Sequence, residues 1–99
     1  MANRPDRHHW TDAETIAVLV LTKRYGKVGW EDDPLARILI SGHGIKKGSI
    51  KMAIQNYLHL MGQPGGLLNA SRRQRELFLE YGKLNLGELR TKAEKGIGA

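Results

Sequence analysis

A chain of 99 residues, 40% hydrophobic and 26% charged, has room for one domain with a small core, not for the layers most metabolic enzymes build around a substrate pocket. It has no cysteine, which excludes disulfides and thiolate metal sites, and no run of about 20 apolar residues that would span a bilayer. The formal net charge of +6 has a local origin: from Pro34 to Arg75 there is no Asp or Glu against seven Lys or Arg, while the rest of the chain carries nine basic and ten acidic groups. Clustered basic surface gains affinity for a polyanion through counterion release, so nucleic acid is the first expected partner. The polar start lacks the apolar segment of a signal peptide, which gives the expectation of a soluble, cytoplasmic protein, in the host cytoplasm if phage-encoded.

Residues 1–9 are polar, mixed in charge and broken by Pro5, and read as a flexible arm ending where Trp10 joins the core. Thr11-Asp12-Ala13-Glu14 has the form of a capping box and predicts a first helix to about Tyr25, with Ile16, Leu19 and Val20 on one face and Gly26 as terminator. Lys23 and Arg24 suit the negative end of its dipole. Asp33 as cap and Pro34 in the first turn predict a second helix with Leu35, Ile38 and Leu39 as its apolar face, broken at Ser41-Gly42-His43-Gly44.

The third helix is predicted from about Lys47 to Leu60. Ile50, Ile54, Tyr57 and Met61 form its buried stripe, flanked by Ala53 and Leu58, against a polar face of Lys47, Ser49, Lys51, Met52, Gln55, Asn56 and His59. Residues 62–66, Gly-Gln-Pro-Gly-Gly, read as a surface loop. A second capping box at Ser71-Arg72-Arg73-Gln74 opens a fourth helix with Leu77, Phe78 and Tyr81 inward. Asn85 caps a short fifth helix to about Lys95, and residues 96–99 are expected to fray. No window alternates with period two, so the expected fold class is all-α: a small three-helix helix-turn-helix core with one or two additional C-terminal helices, in one domain over residues 10–95.

Two short helices around a glycine-containing turn, the second exposing Lys, Ser, Gln and Asn, have what a helix-turn-helix needs to reach phosphates and base edges. These residues also carry a resemblance. Trp10-Thr11 with Glu14, and Ile50 through Tyr57, resemble the three-helix Myb/SANT type of helix-turn-helix. The ordered blocks Ser49-Ile50-Lys51-Met52-Ala53-Ile54-Gln55-Asn56-Tyr57 and Gly66-Leu67-Leu68-Asn69-Ala70-Ser71 are similar to the N-terminal DNA-binding region of certain bacterial and phage HNH endonucleases. The resemblance runs from Trp10 to Tyr81. It departs at Lys46 and Lys47, where such relatives carry a Thr-Pro or Ser-Pro start, and the HNH metal-binding module is absent after Tyr81.

Lys46, Lys47 and Lys51 are the candidate phosphate contacts, and Ser49, Met52, Gln55, Asn56 and His59 complete the candidate reading face. Asn56 has a second reading, as a bond to a backbone group between helices. Arg72, Arg73 and Arg75 stand at a helix start where cations oppose the dipole, and an external anion would account for them. Trp10, Trp30, Tyr57, Phe78 and Tyr81 fall at core positions rather than on a stacking platform. Of the histidines His8, His9, His43 and His59, no two share a helix face at metal-ligand spacing, and Glu31-Asp32-Asp33 reads as a cap. No nucleophile elbow or phosphate-binding glycine loop is present, so no catalytic residue, metal or cofactor is expected.

The sequence therefore points to a double-stranded DNA-binding protein and not an enzyme: a stand-alone binder or regulator, a competitor of a related endonuclease, or the binding domain of a larger nuclease. The alternative is a small phage-type interaction or inhibitor protein whose basic surface docks on an acidic protein partner. A homodimer is compatible with either, and no membrane partner is expected.

Overall fold

A computed structural model describes residues 9–62 and 71–98. The arm before His9, most of the glycine-rich loop and the block 66–70 used in the resemblance lie outside the described residues. Within them the chain is all-α, with no strand: α1 (Asp12–Tyr25), α2 (Pro34–Arg37), α3 (Lys47–Leu60), α4 (Arg72–Tyr81) and α5 (Leu86–Ile97).

The capping chemistry sets the helix starts. Thr11 Oγ1 accepts from the Glu14 amide at 3.1 Å, and Glu14 Oε1 accepts from the Thr11 amide at 2.9 Å, closing the reciprocal box that starts α1. Gly26, at φ 68°, ends it, and the Gly26 amide donates to Thr22 O. A single 3-10 turn, Trp30–Asp32, buries Trp30 and delivers Asp33, whose Oδ1 caps the Leu35 amide at 2.9 Å. After one α turn, α2 widens into a π turn over Ile38–Gly42, which keeps Leu39 in the core and places His43 against α1 and α5.

Helix α1 is the axis of the domain. Every residue from Glu14 to Thr22 is buried, because α2, α3, α4 and α5 all pack on it. The sequence reading gave α1 one apolar face of Ile16, Leu19 and Val20; the structure also buries Ala17, Val18 and Leu21. A helix apolar around its whole circumference is one surrounded by partners. The polar groups inside are satisfied locally: Thr22 Oγ1 donates to Val18 O at 2.8 Å, and Tyr57 Oη donates to Thr15 O at 3.0 Å. Burial pushes the Tyr57 phenol well above its ordinary range, so it stays a donor.

Helix α5 corrects the expected tail. It runs to Ile97, which is buried, with Gly98 as a left-handed C-cap, so Gly96 and Ile97 are packed helix rather than fray. Gly96 faces Ala13 so closely that a Cβ there would run into the Ala13 methyl, and this permits α5 to lie against α1. Helix α5 is thus built into the core and is no appendage to a three-helix unit.

Two polar ties cross the structure. Asp33, buried, accepts from Arg90 Nη1 at 3.1 Å, Arg90 Nη2 at 2.6 Å and Tyr25 Oη at 2.8 Å, besides the Leu35 amide. Burial alone would raise the Asp33 carboxyl; the bonds from Arg90, Leu35 and Tyr25 outweigh it and hold the carboxyl below the usual carboxylate range. Lys23 Nζ donates to Gly82 O at 2.7 Å and Leu84 O at 2.9 Å, closing the α4–α5 connection onto α1. Its last-turn position in α1 suits the dipole, but its bonds go to another segment.

Candidate nucleic-acid interface

Helix α3 presents three rows. Ile50, Ile54, Tyr57 and Leu58 are buried against α1. A second row, Lys47, Lys51 and Gln55 at four-residue spacing, runs along the outer side, and its two lysines are exposed. A third row, Ser49, Met52, Ala53 and Asn56, faces the side on which α4 packs.

The outer row begins at a bare helix start. The N-cap of α3 is Lys46, whose side chain makes no cap bond, and the first turn has no acidic residue. An open groove of about 490 Å³ lies between this turn and the segment after α1; its walls include Lys27, Val28, Glu31, Lys47 and Lys51. Three lysines converge there. Glu31 offsets them weakly: its Oε2 is 3.9 Å from Lys47 Nζ, with both side chains open to water. The stretch Pro34 to Arg75 that holds Lys47 and Lys51 has no acid of its own; Glu31, which precedes it, is brought beside Lys47 by the 3-10 turn.

The candidate residues separate by exposure. Lys46, Lys47, Lys51 and Met52 are exposed, and Met52 is 53% accessible although apolar. Ser49, Gln55 and His59 are half-buried. Asn56 departs from the predicted polar face: it is 8% exposed, because α4 and the start of α1 close over that side of α3. Nor does Asn56 accept an interhelical bond, since among the described residues no donor reaches its Oδ1.

The arginines of α4 also separate. Arg73 places Nε 2.9 Å and Nη2 2.5 Å from the two carboxylate oxygens of Asp12, and Nη1 3.0 Å from Glu76 Oε1. These bonds raise the Arg73 guanidinium and lower the Asp12 carboxyl from their ordinary values. The anion that Arg73 was expected to need from outside is supplied by α1, 61 residues earlier in the chain. Arg72 and Arg75 are exposed. The capping box at Ser71 is half of one: Ser71 Oγ accepts from the Gln74 amide at 3.1 Å, but Gln74 Nε2 donates to Ala53 O at 2.9 Å, pinning the first turn of α4 to α3.

Among the described residues no three His, Asp or Glu side chains form a group that could hold a metal ion, and no helix is long and apolar enough to cross a membrane. No family model, curated protein or solved structure matches the chain.

Proposed function

We propose that this domain binds double-stranded DNA through the exposed first turns of α3. One observation carries the reading: Lys27, Lys47 and Lys51 ring the start of a 14-residue helix whose first turn has no side-chain cap and no acidic residue. A helix start without a side-chain cap and a positive dipole end favour an anion, and the lysines add mobile charge around it. In a helix-turn-helix the N-terminal residues of the recognition helix meet the base edges, and here those residues are Lys47, Gly48, Lys51 and Met52. Met52 then offers an apolar surface suited to a thymine methyl, while Lys46, Lys47 and Lys51 take phosphates. Arg72 and Arg75 are the additional backbone contacts. The Myb/SANT-like spacing of Trp10, Thr11, Glu14 and Ile50 through Tyr57 supports the same assignment and extends it to a regulator, a nuclease competitor or the binding domain of a larger nuclease.

The test is fluorescence anisotropy against labelled duplex across a salt series, using sequences selected from a random pool. Log K is expected to fall by roughly 0.9 per phosphate contacted for each unit of log[salt], and replacing Lys27, Lys47 and Lys51 with Ala is expected to flatten that slope. No binding to any duplex at about 50 mM salt overturns the reading.

A further inference from the structure

Gly48 is the second residue of α3 and lines the lysine groove together with Lys47 and Lys51. Glycine weakens a helix because it has the most backbone freedom to lose on folding, so its presence in one calls for a reason. Elsewhere in the chain the reason is internal: Gly26 takes a positive φ, and Ala13 leaves no room for a Cβ on Gly96. Gly48 has neither reason. Its φ is not positive, and no atom lies within 4 Å of the place a Cβ would take. The buried stripe of Ile50, Ile54, Tyr57 and Leu58 lies against the core, and the ridge on the far side of α3 runs through Gly48 and, one turn on, Met52. Gly48 is exposed and Met52 is 53% exposed, so this ridge is the outermost line of the helix.

We propose that Gly48 is a specificity-determining position of the DNA interface: with no side chain on the leading ridge, the first turn of α3 reaches the floor of the major groove. The inference rests on the duplex reading and deepens it by naming the point of closest approach. A helix with its side chains is about 10–12 Å across and the major groove is about 12 Å wide, so the clearance is of the order of one methyl group. Lys47 and Lys51 extend to the phosphates, while Met52 comes against the base edges one turn beyond Gly48. A methyl at position 48 would hold the helix off the groove floor. Long lysine side chains keep their phosphates across the added gap, whereas direct base contacts need van der Waals or hydrogen-bond distance. The loss therefore falls on sequence recognition and not on the electrostatic part of binding.

The experiment compares Gly48→Ala and Gly48→Leu with Gly87→Ala in the whole chain. Anisotropy is measured on a duplex selected from a random pool and on its scrambled counterpart, and each variant is melted thermally. Gly87 is the matched position, exposed and second in α5, but beside Glu88 and not among lysines. Gly48→Ala is expected to weaken binding to the selected duplex about tenfold and Gly48→Leu by more, with the salt slope and the scrambled duplex nearly unaffected. Both are expected to melt at or above the wild-type temperature, since a better helix former replaces glycine where its side chain meets open space. Gly87→Ala is expected to bind both duplexes as the wild type does. Gly48→Ala decides the matter even if the leucine variant misfolds. Selected-duplex affinity within about twofold of wild type in Gly48→Ala overturns the inference and leaves the duplex reading intact, as does an equal loss on both duplexes. A lowered Tm in Gly48→Ala also overturns it, because the glycine would then serve the fold. Wild-type protein that binds no duplex overturns the duplex reading and this inference with it.

Discussion

His43 Nδ1 lies 2.6 Å from Glu14 Oε2, while its Nε2 lies 3.1 Å from Ile97 O, so one imidazole joins the start of α1, the end of α2's π turn and the end of α5. Both partners are acceptors, and only the imidazolium donates to both at once. The Glu14 bond, and then the Ile97 carbonyl, raise the His43 pKa above its ordinary value. Because the folded value is the higher one, the stabilisation is fully present below about pH 6.5 and is lost as pH climbs through the raised folded value. Urea midpoints measured from about pH 5 to pH 9 are expected to fall on the alkaline side. His43→Ala is expected to cost about 1–3 kcal/mol at the acid end, since it removes the imidazolium that bonds both the buried Glu14 carboxylate and Ile97 O, and to remove most of that slope. A wild-type midpoint flat across the range would contradict the assignment.

Gly96 makes opposing demands on an alanine substitution. In an exposed helix interior Gly→Ala gains about 1 kcal/mol, but here the new methyl meets Ala13 on the central helix. Overpacking a rigid helix contact costs roughly 1–3 kcal/mol, so the net effect of Gly96→Ala is expected to be destabilising. Thermal melts are expected to show a lower Tm, and Ala13→Gly combined with Gly96→Ala is expected to recover part of the loss. A raised Tm in the single variant would mean that α5 packs elsewhere.

Asp33 is the opposite electrostatic case. Its folded pKa is depressed, so its contribution is present above about pH 4 and disappears as pH falls through the folded value. Replacing it with Ala strips the cap from α2 and leaves Arg90 and Tyr25 without their acceptor, at a cost of about 3–5 kcal/mol by denaturant unfolding. Asp33→Asn keeps the cap oxygen and is expected to fall between Ala and wild type. Equal losses in the two variants would show that the charge adds nothing.

What could be read from the chain alone follows the range of the interaction. The Thr11/Glu14 box, the Asp33, Ser71 and Asn85 caps and both ends of α3 rest on residues within four positions of each other, and all are where the sequence put them. Partners supplied from far along the chain were not legible: Asp12 for Arg73, Gly82 O for Lys23, Arg90 for Asp33. The same holds for Asn56. Its helical position placed it beside a polar row, and only the packing of α4 against α3, fixed by Gln74 and Ala53, turned that row into the wall of a groove. Gly96 and Ile97 looked like a tail because their use depends on Ala13 and His43, both more than fifty residues away.

The arginine pairing distinguishes phosphate contacts from internal ties. Among the described residues no carboxylate forms an ion pair with Lys51, whereas Arg73 would have to leave Asp12 and Glu76. Exchanging one anion for another gains little net energy, and it releases fewer counterions because the guanidinium is already neutralised. Lys51→Ala is therefore expected to reduce the salt slope of duplex binding by about 0.9, while Arg73→Ala leaves it nearly unchanged and costs little stability, as exposed ion pairs do. Anisotropy titrations of the two variants in parallel check this. A larger slope change from Arg73 than from Lys51 would move the DNA-binding face from the start of α3 to the start of α4.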